Sequence, residues 1–145
     1  MPDLLLKRES FESERYTNTA IRNPTFAVSE ESPNFYLYSL AAEYNAALMR
    51  DFDYDACVRI DEPEQFLDDL NAFFRPDGEF IGLHPCVYMP REVSHTARHS
   101  VHPALIKEPR YSNQKELRAI WKPTTDDVHP VVLECPKLAH WCSIV

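Results

Sequence analysis

At 145 residues the chain is long enough for one domain with a core of its own, and residues 1–145 are read as that single domain. It carries 15 Lys and Arg against 23 Asp and Glu, a formal charge of −8. That balance disfavours non-specific nucleic-acid binding and suits a basic protein partner or a small-molecule site. Only two glycines are present, Gly78 and Gly82, which excludes a glycine-rich phosphate loop; arginines, helix ends or hydroxyls must hold any phosphate.

The predicted elements are short, because proline recurs along the chain. Asp3–Arg8 reads as a first strand, apolar and then charged. Leu4-Leu5-Leu6 is too short for a signal peptide, and no apolar run reaches membrane-spanning length. Residues 9–23 are polar and read as a loop bearing Arg15 and Arg22. Asn23–Ser29 reads as a second strand ending at Ser29. Ser32-Pro33 is a helix-start signal, and Leu37, Leu40, Ala41, Tyr44, Ala47 and Leu48 follow at helical spacing. Phe35, Tyr36 and Tyr38 crowd the start of that expected helix.

Asp51-Phe-Asp-Tyr-Asp55 lacks the glycine and the distal glutamate of a calcium loop, so it reads as an acidic, aromatic connector. Ala56–Ile60 reads as a short buried strand. Asp61 and Glu64 have capping-box spacing, with Asp61 as the cap. The helix that follows runs to about Phe74 and is expected to bury Phe66, Leu67, Leu70, Phe73 and Phe74. Glu79–Met89 reads as one strand, or as two broken at Pro85.

His95, His99 and His102 would share one face of a helix, a spacing compatible with zinc. Pro90 and Pro103 bracket the segment, no fourth ligand is evident, and a polar loop is the better reading; no metal is assigned. Leu117–Lys122 reads as a strand. His129–Cys135 reads as a last strand antiparallel to it, and the apolar end, Lys137–Val145, is expected to dock on the core. Cys142–Val145 formally fits a prenylation box, but a buried tail suits it better. Cys57, Cys86, Cys135 and Cys142 form no CxxC pair, so reduced thiols and a cytoplasmic setting are expected. Together these elements imply an α+β fold: a small mixed, mostly antiparallel sheet with two main helices.

Chemistry concentrates between Lys107 and Trp121. Gln114 and Glu116 are two apart, so extended backbone would point both to one side. Tyr111 lies three residues before Gln114, where a loop can fold over the pair. The plainer reading is a strand on which Glu116 and Arg118 form a same-face ion pair.

Tyr111-x-x-Gln114-x-Glu116 resembles the aromatic-x-x-Gln/Glu-x-Glu turn of ADP-ribosyltransferases. Lys107 to Arg118 also resembles the C-terminal signature of an uncharacterised bacterial and phage family, with Gln114 in place of its first Glu and Leu117 in place of its aromatic. The transferase resemblance implies NAD as substrate and no metal. Glu116 would hold the nicotinamide ribose and steady an oxocarbenium-like transition state, and Gln114 would face the acceptor. Arg8, with Arg15 and Arg22 as alternatives, would bind the diphosphate. Ser29, Tyr36 and Tyr111 would shape the NAD pocket; Phe35, Tyr36 and Tyr38 could stack on the nicotinamide, but core packing is the better reading for them. Ser29 followed by Glu30 departs from the Ser-Thr-Ser strand end of that family. Gln at position 114 resembles the forms that modify nucleobases, yet the acidic charge opposes such an acceptor, which stays open.

Two functions are therefore weighed. One is an NAD-dependent mono-ADP-ribosyltransferase or NAD glycohydrolase: a toxin, effector or phage- or defence-related protein, acting in the cytoplasm or delivered into a target cell. The other is a non-catalytic acidic binding or inhibitor protein of the immunity type.

Overall fold

The computed structural model describes residues 5–8, 28–31, 33–93 and 101–145. Contacts divide the chain into two compact units, Met1–Pro33 and Asn34–Val145. In the first, strand β1 (Leu5–Arg8) pairs antiparallel with β2 (Val28–Glu31), Leu5 opposite Glu31 and Arg8 opposite Val28. Residues 9–27, including Arg15, Arg22 and most of the expected second strand, lie outside the described residues.

The second unit is built on a three-stranded antiparallel sheet in the order β3-β8-β5. These strands are Tyr36–Ala41, Glu116–Pro123 and Gly78–Pro85. The architecture is α+β, with helices α1 (Ala46–Asp51) and α2 (Pro63–Phe74) beside small, mostly antiparallel sheets. The parallel element is β6 (Val87–Tyr88) against β7 (Ile106–Lys107).

Strand alternation sorts the central strand β8 into two faces. Ala119 and Trp121 are buried against Phe66, Leu70 and Phe74, which recur every four residues on α2. The rings interlock edge to face: Phe74 meets Trp121 at 5.6 Å and Tyr36 at 4.9 Å. Glu116, Arg118 and Ile120 alternate onto the opposite face. Their partners on β3 are Ala41, Ser39 and Leu37.

The helix expected from Pro33 to Leu48 is replaced by β3 followed by the short α1. Phe35, Tyr36 and Tyr38 favour extended backbone, and six consecutive pairs with β8 satisfy the β3 backbone. Helix α1 begins only at Asn45, whose Oδ1 accepts from Leu48 N at 3.0 Å.

At α2 the cap is Glu62, with no side-chain cap bond, and Pro63 opens the helix. Asp61 instead accepts from Arg59 Nε at 2.6 Å, so the expected capping box does not form. Phe73 is exposed rather than buried, because it lies off the Phe66–Leu70–Phe74 stripe. Strand β4 (Val58–Ile60) is mostly exposed where a buried strand was expected, since it pairs only with the terminal strand β9 (Cys142–Ile144).

The expected strand at 129–135 is absent from that stretch. A 3-10 turn, Pro136–Trp141, follows it and leads into β9, while the free side of β8 is already taken by β5 and β3. The tail docks on the core through Leu138, Trp141 and Cys142, but its end is not buried as expected: Ile144 and Val145 are exposed, because β9 pairs only with the mostly exposed strand β4. Asp69 of α2 fastens the tail, taking Lys137 Nζ at 2.6 Å and Trp141 Nε1 at 2.7 Å.

Candidate functional site

Glu116 is the one buried charged residue among the described residues, 8 % exposed. Four elements deliver partners to it. Ser39 Oγ on β3 donates to Oε1 at 3.0 Å, and Arg118 Nε on β8 donates to the same oxygen at 2.7 Å. Lys107 Nζ on β7 donates to Oε2. The backbone N–H of Glu116 donates to the Tyr88 hydroxyl on β6 at 2.9 Å. Its carbonyl accepts from Cys86 N at 2.9 Å. Both carboxylate oxygens are therefore occupied, and the main chain on either side is satisfied.

Burial alone would raise the Glu116 pKa. The hydrogen bonds from Lys107, Arg118 and Ser39, with the Arg118 charge, outweigh it and hold the group at about 2. Arg118 is fixed in turn by a bond from its Nη1 to the Ala104 carbonyl. Burial pushes the Cys86 thiol up, against the pull of Arg118 and with a further rise from Glu116.

Gln114 and Glu116 do not reach the cluster through strand alternation. Gln114 ends a 3-10 turn (Pro109–Gln114), and Lys115 is left-handed at φ 45°, which breaks the extended run between them. They meet instead at one ammonium: Lys107 Nζ donates to Gln114 Oε1 as well as to Glu116. Tyr111 belongs to the same turn, and its ring covers the cation rather than the carboxylate. Lys107 Nζ lies 5.3 Å from the ring centroid and the Arg110 guanidinium 4.7 Å.

Tyr36 lies apart from this cluster. Tyr36 pairs with Trp121 and Glu116 with Ala41, five positions apart along β3 and β8, roughly 17 Å at strand rise. Tyr36 packs on the core. Arg8 ends β1 and Ser29 sits in β2 opposite Lys7, both in the first unit. His95 and His99 lie outside the described residues; His102 caps a short turn by accepting from Ala104 N at 3.1 Å. Among the described residues no group of three or more His, Cys, Asp or Glu side chains is placed to hold a metal ion. No described helix is long and apolar enough to cross a membrane.

Sequence reasoning missed Ser39 and Tyr88 as partners and passed over Lys107 as the hub. Lys107 stands seven and nine residues before Gln114 and Glu116, a spacing with no meaning until the 3-10 turn folds it back. Nothing local in the sequence marks Ser39, which lies 77 residues from Glu116. Comparison with family models, with curated proteins and with solved structures found no match.

Proposed function

We propose that this chain is a non-catalytic acidic binding protein, of the inhibitor or immunity kind, for a basic protein partner. One observation carries the reading: each oxygen of the Glu116 carboxylate is already held by a cation, with Ser39 added on one side. A carboxylate that steadies an oxocarbenium ion needs exposed negative charge and a lone pair for the ribose hydroxyl. Glu116 is buried, three bonds already engage its carboxylate, and Lys107 and Arg118 set two positive charges against its one negative charge. The cluster acts as a strut joining β3, β7 and β8. The net charge of −8 then serves recognition by steering a basic partner.

The transferase reading keeps one specific support: Tyr111, Gln114 and Glu116 gather around a single ammonium group. In that reading NAD is the substrate, Glu116 swings away from Lys107 to take the ribose, and the acceptor is unassigned. NAD turnover by the purified protein separates the two. The binding reading expects no nicotinamide release above the buffer blank from wild type or from Glu116→Ala. Release by wild type that disappears in Glu116→Ala would overturn it.

A further inference from the structure

Helix α1 ends in a turn that presents two aromatic rings and three carboxylates to solvent. The N–H groups of Phe52, Asp53 and Tyr54 donate to the carbonyls of Leu48, Arg50 and Met49 at 3.0, 3.1 and 2.9 Å, so the turn is fixed by its own backbone. Phe52 and Tyr54 stack on each other, with ring centroids 5.6 Å apart and planes at 29°. They are nevertheless 47 % and 64 % exposed, so core packing does not account for the pair. Asp51, Asp53 and Asp55 alternate with the rings and are all exposed. The ion pairs formed among the described residues engage other carboxylates, and Arg50, in the last turn of α1, pairs with none of these three. Two local rules run against the acidic residues. Asp53 is left-handed at φ 57°, where glycine or asparagine is favoured. Asp51 and Asp53 also stand at the carbonyl end of a helix, which favours cations and disfavours anions.

We propose that this turn docks an arginine side chain of a basic protein partner. The inference rests on the reading of the chain as a binding protein for such a partner, and it names the surface that meets it. A guanidinium is planar and weakly hydrated, so it stacks on an exposed ring while its N–H fork reaches carboxylates; an ammonium ion stacks less well and lacks the fork. Phe52 and Tyr54 offer the π faces, and the alternating aspartates offer acceptors beside them. The incoming charge offsets the repulsion between those aspartates and the carbonyl end of α1. Because backbone hydrogen bonds already hold the turn, docking has little ordering cost to overcome.

The test titrates a short blocked peptide, Gly-Arg-Gly-Arg-Gly, and its lysine twin into ¹⁵N-labelled protein at low salt. The expected result is a set of saturable amide shifts centred on Asp51–Asp55, with the arginine peptide bound at least about threefold more tightly than the lysine twin. Asp53→Asn removes one charge at a position whose left-handed backbone suits asparagine. It should weaken the arginine peptide about threefold at an unchanged or higher melting temperature, a combination that a merely structural aspartate would not give. The double variant Phe52→Leu with Tyr54→Leu keeps apolar bulk, removes both π faces and should level the two peptides. Equal binding of the two peptides by wild type, or no loss in Asp53→Asn, overturns the docking site. Saturable binding with shifts centred elsewhere on the chain also overturns it, and leaves the basic-partner reading standing. Absence of saturable binding by either peptide anywhere on the chain overturns both.

Discussion

Arg118 donates from Nε to Oε1 of Glu116 at 2.7 Å, two residues along the same face of the central strand. The plainest reading of the sequence foresees this ion pair, but not its setting. Lys107 takes the other oxygen, so removing the carboxylate strands two cations at once. Glu116→Ala should cost about 3 kcal/mol, a drop of about 6–12 °C in melting temperature. Glu116→Gln keeps an acceptor and should cost less, and Ser39→Ala about 1 kcal/mol. Thermal melts of the three variants check the order.

Acid should find the same group. Glu116 titrates at about 2 in the fold, below its ordinary value of 4.5. A depressed carboxyl contributes its full stability above the unfolded value and loses it as pH falls from 4.5 towards 2. Asp69 is also lowered, chiefly by the Lys137 hydrogen bond and then by Trp141. Urea midpoints between pH 7 and pH 2 should fall most steeply below 4.5. Glu116→Gln should flatten that limb, leaving the share carried by other carboxyls.

The tail is held by one carboxylate with two partners. Asp69→Ala removes the acceptor for both Lys137 Nζ and Trp141 Nε1. The variant should stay folded, show a red-shifted tryptophan emission and lose residues from about 136 onward to limited proteolysis faster than wild type. Equal digestion rates would mean that packing of Leu138 and Cys142 alone secures the tail.

Gly78 starts β5 at a point where the backbone touches the core. A Cβ there would lie 2.8 Å from Phe74 Cε1 and 3.0 Å from Trp121 Cβ. Gly78→Ala should therefore destabilise by about 1–3 kcal/mol through overpacking, read from chemical unfolding.

Local pattern carries much of the fold. Phe66, Leu70 and Phe74 repeat at helix period and are the buried stripe of α2. Pro85 ends β5 before β6, and the stretch after Gln114 is the central strand. The failures share a cause. Leu37, Leu40 and Ala41 also fit helical spacing, and only pairing with β8, some 80 residues on, decides for a strand. Val131–Leu133 read as a strand by composition but have no open edge beside β8, because β3 and β5 flank it. The candidate site was legible as a stretch, since Tyr111, Gln114, Glu116 and Arg118 do assemble. Its balance of charge was not, because that depends on Lys107 and Ser39 arriving from separate elements.

Glu116 is an anion already engaged by its neighbours. A carboxyl ¹³C titration of Glu116, run with and without millimolar NAD, tests this engagement directly. The expected result is an inflection near pH 2 that NAD does not move. An inflection near 4.5, or a Glu116 signal that shifts saturably with NAD at neutral pH, would contradict it.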